Sequence, residues 1–263
     1  MQGIHADGGR ARALIRTFDV VNGARLKHVP VVLAHRGASR AAAENTVEAF
    51  RLAALLGADG VELDARRTAD GIVVVHHDAF AAGAGSIVEL TAAQLRASRP
   101  DIPTLEEALD ACDGIVNVEI KNFPNEPDYD AEEHVAAQTA VTVARRNLVD
   151  RVIVSSFTVE SLDRARAIDR RIRAGWLTLP GFAVPDAVRL AHGRGYDALH
   201  PERTALTADA ARAVAAAHDA GLSVNVWTVD DPDEIGLLAS AGVDGIITNV
   251  PDVARRVLSE RRA

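Results

Sequence analysis

From position 31 to position 249 the chain alternates short runs of β-branched and aliphatic residues with longer, Ala-rich stretches of helical period, and no other single feature restricts its fold so strongly. Repeated strand–helix units leave this trace, and they demand a mostly parallel sheet with helices packed on it. Nine strand-like runs occur in order: "VVLAH" (31–35), "GVELDA" (60–65), "IVVVH" (72–76), "IVNVEIK" (115–121), "RVIVSS" (151–156), "RIRAGWL" (171–177), "YDALH" (196–200), "LSVNVWTV" (222–229) and "DGIITN" (244–249). Between them, stretches such as "AENTVEAFRLAALLG", "TLEEALDAC", "AEEHVAAQTAVTVARRN" and "TADAARAVAAAHDAG" carry helical spacing, several closing on a glycine suited to a helix C-terminus.

An eight-stranded barrel has room for eight of the nine. Parallel neighbours need a crossover of a dozen or more residues, and only "RRTAD" and Gly71 separate the second run from the third. Those two runs must form a hairpin. With Asp70-Gly71 as a two-residue turn, residue 64 is expected opposite 77, or 62 opposite 77 after a slip of two. The expected fold is therefore an α/β, (β/α)8 TIM barrel with a β-hairpin excursion after the second strand, formed by residues 29–263. Residues 1–28, Gly- and Arg-rich and without a clear period, are expected to be an N-terminal tail or a cap on the barrel floor.

A length of 263 residues suits one such barrel, and 48% hydrophobic with only 4% aromatic residues means an interior of Ala, Val, Leu and Ile. The net charge of −8 argues against nucleic acid or an anionic membrane surface as a general partner. An anionic substrate has to be attracted locally. No apolar run reaches the roughly 18 residues of a spanning helix, and the N-terminus has neither the basic start nor the apolar core of a signal peptide. The expectation is a cytoplasmic protein without stable membrane insertion. The single cysteine, Cys112, excludes an internal disulfide and reads as a small buried thiol.

Barrels of this kind carry their chemistry at the C-terminal ends of the strands. Those ends hold His35 and Arg36, Glu62 and Asp64, Glu119 and Lys121, Ser155 and Ser156, His200, Trp227 and Asn249. Glu62 and Asp64 share one strand face at a spacing of about 6.5–7 Å, and Glu119 enters from the neighbouring barrel strand. Three carboxylates at one mouth repel one another, and a hard divalent cation with oxygen ligands, Mg2+ or Ca2+, is the natural compensation; zinc, which prefers nitrogen and sulfur, suits the set less well. His35 and His77 flank these acids and read as general acid and general base. His76 alternates to the opposite face and reads as structural, while Ser155, Ser156, His200 and Asn249 read as ordinary rim polarity. His5, His28, His134, His192 and His218 are assigned no role.

Taken together, "AHRG" (34–37), "ENT" (44–46), "GADGVELDARRTADGIVVVHHD" (57–78), "IPTLEEAL" (102–109), "VEIK" (118–121), "SSF" (155–157), "WTVDD" (227–231) and "GVDGIITNVPD" (242–252) resemble the glycerophosphodiester phosphodiesterase family. The resemblance implies a metal-dependent barrel that hydrolyses a small-molecule glycerophosphodiester to glycerol 3-phosphate and an alcohol. It implies His35 and His77 as the acid/base pair, Glu62, Asp64 and Glu119 as metal ligands, and Arg36 and Lys121 as phosphate contacts. Glu44 and Asn45 fall where the family places mouth-organising residues. Trp227 resembles the aromatic wall of the glycerol pocket, with core packing an equal reading.

Three departures stand out. After "HHD" the chain reads "AFAAGAGSIVELT", so residues 79–86 are expected to be a small, flexible segment on the leaving-group side. Ala43 replaces a common Pro before "ENT", and Asn249 stands where Asp is usual. Neither of these two touches the ligands. The alternatives are a lysophospholipase D-like or other phosphodiesterase, a catalytically idle barrel that binds a phosphorylated ligand, and a metal-assisted sugar-phosphate aldolase or isomerase on the same scaffold.

Overall fold

The computed structural model describes residues 29–206 and 209–261, together with the backbone of a short antiparallel ladder between Val20–Val21 and Ala24–Arg25. The expected tail or floor cap at residues 1–28 otherwise lies outside the described residues. Eight parallel strands form the barrel: β1 (Val31–His35), β2 (Gly60–Arg67), β3 (Ile115–Ile120), β4 (Val152–Ser156), β5 (Arg173–Thr178), β6 (Ala198–Pro201), β7 (Ser223–Val226) and β8 (Gly245–Thr248). Each pairs with its successor, and β8 pairs with β1 to close the ring.

The helices outside it are α1 (Val47–Leu55), α2 (Ala92–Ser98), α3 (Leu105–Ala111), α4 (His134–Arg145), α5 (Val159–Ile168), α6 (Val184–Gly193), α7 (Ala210–Asp219), α8 (Pro232–Ala241) and α9 (Pro251–Glu260). Local chemistry marks their ends. Thr104 and Glu107 form a capping box that opens α3, Asp231 caps α8 before Pro232, and Gly242 closes α8 at φ +88°. The sequence pattern had not marked α2, a two-turn helix of the excursion, or α9, which follows the last strand.

Strand alternation sorts side chains into two layers. Val61, Leu63 and Ala65 of β2, with Val116, Val118 and Ile120 of β3, belong to the large apolar core beneath the helices. Leu33, Ile115 and Ile247, from β1, β3 and β8, meet in a separate cluster; β1 and β3 are not neighbours, so this cluster lies inside the ring. On the same face as Ile115 come Asn117 and Glu119, and on that of Gly60 come Glu62 and Asp64. The interior is thus aliphatic low down and charged toward the C-terminal ends. Between these levels His200 is fully buried, accepting from Asn225 Nδ2 at Nε2 over 2.9 Å, and Gly175 makes the room for it: a Cβ at 175 would lie 2.5 Å from that nitrogen.

The excursion corrects the expected register. The returning arm, Val73–Val75, pairs antiparallel with β2 as Ala65↔Val75, Arg66↔Val74 and Arg67↔Val73. His76 N–H donates to Asp64 O over 3.0 Å, so residue 64 lies opposite 76 rather than 77. The connection is not a two-residue turn. Thr68 N–H bonds Ile72 O and Gly71 N–H bonds Thr68 O, both at 3.0 Å, closing a three-residue loop with Gly71 at φ +79°. Asp70 sits inside that loop, taking the Thr68 hydroxyl at 2.6 Å and Ala92 N–H at 2.9 Å. A one-residue slip exchanges the faces of an arm; His77 lies one residue past His76, whose N–H makes the last backbone bond to β2, and does not face Asp64 across the ladder.

Residues 79–86 are also not a loose segment. Phe80–Ala81 pairs antiparallel with Gly85–Ser86, and Ala81 and Ile87 join Val74, Leu95 and Ile102 in a small core of the excursion's own.

Burial holds the pKa of His200 down at about 3. A histidine whose folded pKa lies below its unfolded value takes up its proton on unfolding, so stability is lost as pH falls from about 6.5 toward 3. Urea melts at pH 7, 6 and 5 should show wild type losing up to about 1.4 kcal/mol per pH unit more than a His200→Gln variant; parallel slopes would contradict the assignment.

Candidate active site

The charged end of the interior is built from adjacent strands. Glu62 and Asp64 on β2 and Glu119 on β3 are all buried, and one carboxylate oxygen of each lies within 4.8 Å of the others. The register explains the convergence: Asp64 pairs with Glu119, and Glu62 pairs with both His35 and Asn117. Lys121 Nζ bonds Glu119 Oε1 and lies 3.1 Å from Asp64 Oδ1, while Arg36 Nε lies 3.3 Å from Asp64 Oδ2. Three carboxylates against these two cations leave one negative charge in excess.

That imbalance is distributed unequally. Burial alone would raise Asp64, but Lys121 and Arg36, with His77 and the Asn45 amide behind them, hold its carboxyl well below the usual range. Glu62 goes the other way: burial first, then the charges of Asp64 and Glu119, push it well above. Burial likewise raises Glu119 despite Lys121. The Lys121 ammonium is held above its ordinary range, because Glu119 and Asp64 outweigh its own burial. Glu62 Oε1 is buried without a hydrogen bond from any described group. A set of three oxygen donors with surplus negative charge and one unengaged buried oxygen fits a hard divalent cation such as Mg2+ or Ca2+.

The loop after β1 wraps this cluster at some backbone expense. Arg36 and Asn45 both adopt left-handed conformations, φ +58° and +57°, which are costly for side chains other than glycine and gather at functional sites. In return Arg36 N–H bonds Glu62 Oε2 at 3.0 Å, and Asn45 grips Asp64 twice, from Nδ2 to Oδ2 at 2.7 Å and at Oδ1 from Asp64 N–H at 3.3 Å. Asn45 N–H also bonds Arg36 O at 2.9 Å. Glu44 is half-exposed and takes Arg36 Nη1 at 2.9 Å, holding the guanidinium from its outer side.

His35 and His77 differ in setting. His35 Nε2 stands 3.9 Å from Glu62 Oε2, and Nδ1 lies 2.7 Å from Asn249 Oδ1. Burial, then Arg36, lower its pKa against the Asn249 bond. His77 is partly exposed, with Nδ1 2.7 Å from Asp78 Oδ1. It lines a cavity of about 260 Å3 with Glu44, Asn45, His76, Arg99 and Asp101. Trp227 follows β7; its indole N–H bonds His200 O at 2.8 Å, and its ring meets Phe157 edge-on at 5.4 Å, with Phe123 beyond at 5.3 Å from Phe157.

Two features escaped the sequence reading. Asn249, set aside there as rim polarity, is the direct partner of His35, and Asp230 holds it from behind through Nδ2 at 2.7 Å and the backbone N–H at 2.8 Å. Arg66 is almost wholly buried on β2. It pairs with Asp128 at 2.6 Å and Glu126 at 2.7 Å and donates from Nε to His77 O at 2.7 Å. A cation near the end of a buried strand was the available signal, since such a charge requires a partner.

The C-terminal mouth of the closed parallel barrel thus gathers three buried acids, two cations and His35, with His77 on the cavity beside it. Residues 35–253 match the model of the glycerophosphoryl diester phosphodiesterase family, and the chain belongs to that enzyme family, as its sequence motifs led us to expect. It is 31% identical over 244 residues to a glycerophosphodiester phosphodiesterase of Caldanaerobacter subterraneus subsp. tengcongensis, covering 84% of this chain and 95% of the relative. Among solved structures, the glycerophosphodiester phosphodiesterase of Thermotoga maritima superposes with a TM-score of 0.74 at 28% identity, covering 88% of this chain and 99% of the other. A phosphodiesterase of Oleispira antarctica, solved in complex with the product sn-glycerol-3-phosphate, also gives 0.74, at 25% identity, covering 88% of this chain and 97% of the other. Among the described residues no helix is long and apolar enough to cross a membrane.

Removing one partner of a buried ion pair strands the other charge. Arg66→Met should therefore cost about 3–5 kcal/mol, seen as a drop in Tm of roughly 10 °C; an unchanged Tm would show that the Arg66 cluster does not hold the excursion to the barrel.

Proposed function

We propose that the protein hydrolyses glycerophosphodiesters to glycerol 3-phosphate and an alcohol. The observation that carries this reading is the convergence of Glu62, Asp64 and Glu119 within 4.8 Å at the same mouth as His35. The Oleispira relative, with glycerol 3-phosphate bound, supports it. Glu62, Asp64 and Glu119 would hold a Mg2+ or Ca2+ ion, which supplies neutralisation of the charge that builds on the phosphoryl oxygens.

The chain's own groups do the rest. Arg36 and Lys121 present cations to the phosphate, compensating locally for an overall charge of −8 that would repel it. Glu44 and Asn45 keep Arg36 and Asp64 in place. His35 and His77 exchange protons with the attacking and departing oxygens. The attacking group is the glycerol hydroxyl next to the ester, giving a cyclic phosphate that water then opens. Trp227, set against Phe157, walls the glycerol side, and the cavity between His77 and Arg99 receives the leaving alcohol.

Purified protein should release glycerol 3-phosphate from glycerophosphocholine with Mg2+ or Ca2+, and excess EDTA should abolish the release. No release with either ion would favour an idle phosphate-binding barrel, and hydrolysis undiminished by EDTA would exclude the metal. His35→Ala and His77→Ala should each lower kcat by about 10²–10⁴-fold with the fold intact by circular dichroism; normal turnover in both would defeat the acid/base assignment.

A further inference from the structure

The hydrogen bonds behind His35 run in one direction, and that polarity selects which ring nitrogen faces the reacting groups. Asp230, in the loop between β7 and α8, can only accept while ionised. It takes Asn249 N–H at 2.8 Å, Asn249 Nδ2 at 2.7 Å and the Thr248 hydroxyl at 3.0 Å. Partial burial opposes ionisation, but these bonds outweigh it and hold the Asp230 carboxyl below the usual range. The Asn249 side chain must therefore turn its NH2 toward Asp230 and its oxygen away. That oxygen accepts Ser39 Oγ at 2.9 Å and lies 2.7 Å from His35 Nδ1. An amide oxygen has no proton to give, so the ring nitrogen has to be the donor. In the neutral imidazole, Nε2 is then the bare nitrogen, and Nε2 is the atom 3.9 Å from Glu62 Oε2, on the side of the acids.

We infer that Asp230 and Asn249 are positioning residues that lock neutral His35 in its Nδ1-protonated form, so that Nε2 is the atom through which His35 exchanges a proton with the reacting oxygens. This rests on the acid/base reading above and names the atom that acts within it. The device differs from a carboxylate laid directly on the imidazole. A neutral amide sets the tautomer, and the charge that orients the amide stands one residue further back.

The test reads the tautomer itself. With 15N-labelled histidine, at pH 8 and with Mg2+ present, the His35 signals are identified by their loss in His35→Gln. Wild type should show a protonated Nδ1 and an unprotonated Nε2. Asn249→Ala should shift the ring toward the Nε2-protonated form and lower kcat about 10–100-fold with KM within about threefold. Exchanging the pair, Asp230→Asn with Asn249→Asp, keeps the polarity of the chain and should restore both the tautomer and most of kcat. A wild-type ring protonated on Nε2 would overturn the inference, as would an Asn249→Ala variant with unchanged tautomer and kcat. If Asn249→Ala does not fold, the wild-type spectrum and the exchanged pair decide. Full turnover in His35→Ala would instead remove the acid/base reading beneath it; loss of turnover there, with tautomer and kcat unmoved in Asn249→Ala, would sink this inference alone.

Discussion

Three carboxylates held out of water at one end of a barrel are the constraint around which the rest of the mouth is arranged. Each must be met by a cation, a donor or both, because an unpaired buried charge costs several kcal/mol after relaxation. The answers come from different parts of the chain: Lys121 two residues beyond Glu119, the Arg36 side chain and backbone N–H from the loop after β1, and the Asn45 amide before α1. The left-handed backbone at Arg36 and Asn45, and the approach of Gly37 to Ala49 so close that a Cβ would fall 2.7 Å from the Ala49 backbone, follow from bringing that loop over the acids. Even so, the formal balance of these five groups is one negative charge in excess, and the three acids could hold a metal ion.

The barrel was legible because its evidence is local and repeated. β-branched runs of four to eight residues mark strands whatever surrounds them, and the strands lie within a few residues of the runs that predicted them. The acids were legible for a related reason: a carboxylate on an otherwise apolar strand is conspicuous. The hairpin register was not, because Asp70-Gly71 is a good two-residue turn in isolation, and only the bonds of Asp70 to Thr68 and Ala92 make it part of a longer loop. The bond of Asn249 to His35 was not legible because its partners stand 214 residues earlier, at His35, and 19 residues earlier, at Asp230. No periodicity reports such a contact.

The two histidines are consequently supported in different ways. His35 ends β1 and is braced by groups from the loops after β7 and β8. His77 lies beyond the end of the returning arm, and what fixes its backbone is the guanidinium of Arg66, itself clamped by Asp128 and Glu126 from the loop after β3.

The small core of Val74, Ala81, Ile87, Leu95 and Ile102 is separate from the main one. The tip of the excursion thus packs on a core of its own, while its returning arm, through Val73 and Val75, remains part of the main core and is paired with β2. A change of side chain at the tip is therefore absorbed by that small core, whereas a change in the arm is felt by the strand that carries Glu62 and Asp64.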